Sequence, residues 1–110
     1  MGKGETLGEF EHLVLLALVR LGKDAYGLAV RQEIAKRAER QVSIGAVYAT
    51  LDRLELKGLV RSSESSRAPA RGGRRRRFFE LTADGQGALQ RTHRSLLRMT
   101  LGLGLGFGLK

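Results

Sequence analysis

The chain has 110 residues, 42% of them apolar and 28% charged, which suffices for one small domain with its own core and excludes a catalytic domain joined to a separate regulatory one. It has no cysteine, which excludes a disulfide framework, thiolate metal ligands and a cysteine nucleophile, and fits a reducing compartment; a cytoplasmic, nucleoid-associated protein is expected. Twenty Lys and Arg against eleven Asp and Glu leave a net charge of +9, a balance that asks for a polyanionic partner.

The opening MGKGETLGEFEH has one Lys and three Glu where a secretory leader needs a basic start and an apolar run, and residues 1–7 read as a flexible N-terminus. Phe10, Leu13, Val14, Ala17, Leu18 and Leu21 recur at helical spacing, with Leu15 and Leu16 widening the stripe, so Glu9 to Leu21 reads as a buried first helix stopped by Gly22. Asp24 is the expected N-cap of a second helix from Ala25 to about Glu39, with Tyr26, Ala29, Val30 and Ile34 on its apolar side. After a turn at Arg40 to Val42, Ser43 caps a third helix, Ile44 to Lys57, which Gly58 ends. At 100° per residue Ile44, Val47, Leu51 and Leu54 share one arc, while Gly45, Ala46, Ala49, Asp52 and Arg53 lie opposite.

Leu59 to Ser63 and Arg74 to Leu81 read as two short strands joined by a turn-forming stretch, Glu64 to Gly73. Between Arg61 and Arg77 there are seven arginines and one acid, so the hairpin carries +6 of the total. Strand alternation puts Arg75 and Arg77 on one face and Arg74 and Arg76 on the other; whichever pair turns inward needs acids, phosphates or a snorkelling path. Thr82 caps a fourth helix from Ala83 to about Thr100, and the terminal LGLGLGFGLK (101–110) reads as a mobile tail. Neither Leu13 to Val19 nor Leu101 to Leu109 is long enough to span a bilayer, and no membrane partner is expected.

Three helices, a two-stranded hairpin and a fourth helix make a mainly α chain with the order of a winged helix-turn-helix domain, whose third helix enters a groove of double-stranded DNA. Gly45, Ala46 and Ala49 let that helix approach base edges closely, its N-terminus with Ser43 offers free N–H groups to a phosphate, and Arg53 reaches from the same face. Tyr48 on the flank either offers its hydroxyl to a phosphate or sits half-buried in the core. Five arginines within Arg71 to Arg77 favour phosphate contact over an ordinary solvated charge run.

The strings GEFEHLVLLALVRLG, DAYGLAV, VSIGAVYATLDRLELKGLV and RGGRRRRFFELTADGQGAL, in this order and spacing, resemble the N-terminal domain of the PadR family of bacterial winged-helix regulators over about Gly8 to Leu89. The resemblance implies a homodimer that binds operator DNA, usually as a repressor. Carried over by position, it implies that Ser43, Gly45, Ala46, Tyr48 and Arg53 lie at the DNA-facing helix. It further implies Tyr26 near a phosphate and wing contacts through Arg71, Arg74 and the neighbouring Arg75, Arg76 and Arg77. The chain departs from the pattern in having Ala70 where an acid commonly precedes the wing arginines, and Phe78 and Phe79 where hydroxylated aromatics are common. It resembles the short forms, which dimerise through the fourth helix: 8–82 is the DNA-binding domain and 83–100 the dimerisation helix, with Leu89, His93, Leu96, Leu97 and Thr100 toward the partner.

Other functions fare worse. His12 and His93 are the only histidines, no third metal ligand accompanies them, and no nucleophile turn or phosphate loop is present, so neither an enzyme nor a metal or other cofactor is expected. A sequence-blind binder of RNA or anionic membrane, using the arginine run alone, is the rival class. Six aromatics and no Trp leave little surface for stacking a planar small-molecule effector, for which a dimer-interface cavity around Leu96, Leu97 and Met99 is the available place; none is predicted.

Overall fold

The computed structural model describes residues 6–64 and 76–104. Its elements in order are α1 (Glu9–Leu21), a 3₁₀ turn (Gly22–Asp24), α2 (Gly27–Ala38), α3 (Ile44–Leu56), β1 (Val60–Glu64), β2 (Arg77–Leu81) and α4 (Ala83–Thr100). This is the winged-helix order expected from the sequence. The two strands are antiparallel, with Val60 opposite Leu81, Ser62 opposite Phe79 and Glu64 opposite Arg77.

The core is a single cluster. Val14, Leu15 and Leu18 of α1 pack with Val30 and Ile34 of α2, Val47, Leu51 and Leu54 of α3, Leu59 and Val60 before and in β1, Phe79 of β2 and Ala88 of α4. The central place of α1 follows from its width: apolar side chains at both the 14/18 and 15 positions contact α2, α3, β2 and α4. The stripe does not close around the helix, however, because Leu16 and Val19 face outward and are 40% and 55% exposed.

Two helix starts are capped as their residues dictate: Ser43 Oγ accepts from Ala46 N at 3.0 Å and Thr82 Oγ1 from Gly85 N at 3.0 Å. Gly58, at φ +78°, supplies the left-handed residue that turns the chain from α3 into β1. The expected start of α2 is corrected. Asp24 closes the 3₁₀ turn instead of capping a helix, and Tyr26 is extended, at φ −108° and ψ 164°, because it bridges Phe78 at the edge of the hairpin while Phe79 N donates to Ala25 O at 2.9 Å. Helical geometry therefore begins at Gly27. Ile44 is a second correction: at the first position of α3 it projects past the body and is 37% exposed, so the buried arc is Val47, Thr50, Leu51 and Leu54.

The hairpin starts one residue later than expected on its first strand, since Leu59 is a buried turn residue and Glu64 is in the ladder. Of the loop and wing tip, Arg71, Arg74 and Arg75 lie outside the described residues. At the N-terminus Leu7 is tied down, its N–H donating to Thr92 Oγ1 of α4 at 2.8 Å. Among the described residues no helix is long and apolar enough to cross a membrane.

Candidate nucleic-acid interface

The outward side of α3 carries Ser43, Ile44, Gly45, Ala46, Tyr48, Ala49, Asp52 and Arg53, all exposed. Its first half is thus a strip of small side chains at a capped helix N-terminus, where backbone N–H groups and a partial positive charge face solvent. Tyr48 settles between its two readings in a mixed way: it is 38% exposed, yet its ring lies directly against α2, where a Cβ on Gly27 would come within 2.4 Å of Cζ. Gly27 is therefore the residue that lets α2 and the base of α3 close together. The sequence reading did not single it out.

Tyr26 stands beside this face. The Arg76 guanidinium sits 4.2 Å from its ring centroid and Phe78 meets it edge-on at 5.7 Å, so the start of α2 and the base of the wing form one aromatic and cationic corner. The second strand begins at Arg77, later than the expected Arg74, so Arg76 lies just outside the ladder, and the two side chains take different partners. Arg77 turns toward α3, where its guanidinium meets Glu55 at 2.7 Å and Asp52 at 3.3 Å.

Beneath α3 lies a carboxylate that the sequence reading passed over. Glu11 of α1, only 10% exposed at its side chain, accepts from Lys57 Nζ at 2.9 Å, from the Gly8 N–H at 3.1 Å and from Arg53 Nε at 3.4 Å. Burial pushes its carboxyl up, but the Lys57, Gly8 and Arg53 contacts outweigh this and hold it below its ordinary value of 4.5. Arg53 also reaches Thr50 Oγ1 at 3.4 Å, so its guanidinium is steered from below while its side chain stays half-exposed. Because the folded carboxyl is depressed, the stability it contributes is complete above 4.5 and is lost as pH falls through that value and below. Glu11→Gln is expected to lower stability at neutral pH by about 1.5 kcal/mol, the worth of a hydrogen bond to a charged group. Its thermal transition should converge on that of the wild type in acid, and parallel curves across the pH series would remove Glu11 from this role.

At the far side of the molecule α4 divides in two. Gly85, Ala88 and Thr92 are buried against the body and Leu89 is half-buried on its own core, whereas from His93 to Met99 every residue is exposed and Thr100 is half-exposed. His93 lies near His12 of α1, whose imidazole is held below its ordinary value by burial first and by His93 second. Among the described residues no group of three or more His, Asp or Glu could hold a metal ion.

Residues 15–91 match the model of the Transcriptional regulator PadR-like family. The chain belongs to that family. No match was found among curated proteins. The structure is similar to a PadR family transcription regulator from Clostridium difficile R20291, at 28% identity and a TM-score of 0.71 over 84% of this chain and 91% of that one. PadR-like regulators from Bacteroides fragilis (24% identity, TM-score 0.70, 82% of each chain) and Bacillus cereus ATCC 14579 (20%, 0.67, 82% of each) share the fold. Fold and family together make this chain a winged-helix protein of a family of DNA-binding transcriptional regulators.

Proposed function

We propose that this PadR-like chain is a homodimeric repressor that reads a pseudo-palindromic operator in double-stranded DNA through α3 and grips the adjacent backbone with its arginine-rich wing. The observation that carries the reading is the exposed strip Gly45, Ala46 and Ala49 behind the Ser43 cap, flanked by Tyr26 and Arg76 on one side and Arg53 on the other. Small side chains let a helix backbone sink into the major groove, and flanking donors fix its register on phosphates. Tyr26, Tyr48 and Arg76 are assigned to phosphates, Arg53 to the groove edge, and Arg71, Arg74 and Arg75 to the backbone on the wing side.

The second copy is called for by α4. On a helical wheel the buried Ala88 and Thr92 continue into Leu96 and Met99, which are 55% and 73% exposed once the helix has left the body. An apolar face that is half covered asks for a partner surface of the same kind. His93, Leu97 and Thr100 lie along the same exposed half. Leu96→Glu is expected to convert a dimer into a monomer in sedimentation equilibrium and to leave the helical signal in place; a variant that stays dimeric removes α4 from the interface.

Selection of the purified protein on a pool of randomised duplex DNA at about 150 mM salt, where weak phosphate contacts are screened, tests the whole reading. An inverted repeat with half-sites about 34 Å apart, or a multiple of it, is the expected product. Recovery without a consensus would replace this reading with that of a general polyanion clamp.

A further inference from the structure

We propose that Arg77 is a positioning residue: it and Glu55 clamp the wing to the recognition helix, so that Arg77 sets the hairpin's place on α3 and does not itself hold a phosphate. This rests on duplex DNA as the ligand of α3 and the wing, and it reassigns one of the arginines that sequence alone places on the backbone.

Glu55 is the pivot. Its Oε1 takes Arg77 Nη2 from β2 at 2.7 Å, and its Oε2 takes the Ser62 hydroxyl from β1 at 2.8 Å. One carboxylate on α3 thereby holds both strands of the hairpin. The second guanidinium nitrogen, Nη1, reaches Asp52 Oδ1 at 3.3 Å, one turn back along the same helix. A planar fork suits two carboxylates at this spacing, whereas an ammonium would serve as a point charge. The guanidinium also lies 4.8 Å from the Phe79 ring centroid, which restricts it further. The Ser62 hydroxyl and the Arg77 guanidinium together hold the Glu55 carboxyl below its ordinary value against a modest desolvation, so the clamp is charged at neutral pH.

Electrostatics gives the arrangement its purpose. Asp52 and Glu55 stand on the helix that faces DNA, where bare carboxylates would repel phosphates. Arg77 offsets one of these two charges, and in doing so is withdrawn from the phosphate count of the wing. Arg76, by contrast, is an exposed residue stacked on Tyr26, with no carboxylate paired to it among the described residues. The clamp fixes how β1 and β2 sit against the groove-reading face, and that seating determines whether α3 and the wing can engage one site.

The test compares wild type, Arg77→Lys, Glu55→Gln and the double variant Glu55→Gln/Arg77→Lys by two readouts. In the free protein, amide hydrogen exchange of β1 and β2 is expected to quicken in each single variant and no further in the double, with the helical amides of α1 unchanged as a control for folding. With duplexes of the selected consensus and of the same composition scrambled, the preference for the consensus is expected to fall by about tenfold in each single variant, the size of one charge-assisted hydrogen bond. The salt slope should stay as in the wild type.

Three results would overturn the clamp. Unchanged hairpin exchange would show that the ion pairs do not hold the wing. A salt slope smaller by about 0.9 in Arg77→Gln, which removes the charge that Arg77→Lys keeps, would show that Arg77 is a phosphate contact. Tighter binding to both duplexes by Glu55→Gln would show that its carboxylate acts only as a repelling charge. If wild type recovers no consensus, the proposed function fails on that result alone, and the exchange measurement still decides the clamp.

Discussion

Ala49→Glu is expected to lower affinity for the selected duplex by at least about a hundredfold while leaving the thermal transition within a few degrees of the wild type. Ala49 is exposed on the small-residue strip of α3, so the new side chain meets no core atom, and glutamate is a good helix former. It also stands four residues before Arg53, an i, i+4 spacing that favours a pair on the helix surface. The substitution therefore adds bulk and negative charge where base edges and phosphates would come, and it draws Arg53 away from them. Gln90→Glu, on the exposed side of α4, changes the net charge by the same amount at a place the reading keeps away from DNA, and should alter affinity little. Operator binding that survives Ala49→Glu, or falls equally in Gln90→Glu, would show that α3 is not the element that enters the groove.

The parts of the fold that sequence reveals are those decided within a few residues. The bounds of α1 and the starts of α3 and α4 agree because the stripe of the one and the caps of the others are local: Ser43 and Thr82 each satisfy an N–H three residues on. The start of α2 was not legible for the opposite reason. Tyr26 is held extended by Phe78 of the distant hairpin, and a contact across that separation overrides the capping chemistry of Asp24. Ile44 had the right periodicity for the core but the wrong height, since periodicity gives a direction around the helix and says nothing of where the body ends.

For the candidate interface the division is similar. That an inward wing arginine needs acids, phosphates or a snorkelling path follows from burial alone; that Arg77 meets acids, and that these are Asp52 and Glu55, depends on how the hairpin sits on α3. Glu11 was the larger omission. In sequence it is one more acid in the first turn of a helix, where acids are common, and only the packing of α1 under α3 brings Lys57 and Arg53 to it.

Gly85→Ala and Gly87→Ala, two residues apart on the same helix, are expected to move stability in opposite directions. Replacing glycine by alanine inside a helix ordinarily stabilises by about 1 kcal/mol. At Gly87 the added Cβ would meet only the end of the flexible Arg91 side chain, at 3.3 Å, so most of that gain should appear. At Gly85 it would fall 2.0 Å from Leu59 O and 2.8 Å from Leu81 Cδ2. Leu59 O cannot retreat freely, because it accepts from Thr82 N at 3.1 Å, and Thr82 Oγ1 donates to Gly58 O at 2.7 Å, which together dock the first turn of α4 on the turn between α3 and β1. Relief requires lifting α4 off that turn and loosening Ala88 from the core. Overpacking against backbone of this kind costs about 3 kcal/mol, the upper end of its usual range, which outweighs the helix term. In thermal melts Gly85→Ala should fall by roughly 10 °C or more while Gly87→Ala rises by a few degrees. Equal shifts in the two variants would mean that α4 does not rest on Leu59, and with that the seat from which its apolar outer half is presented would be lost.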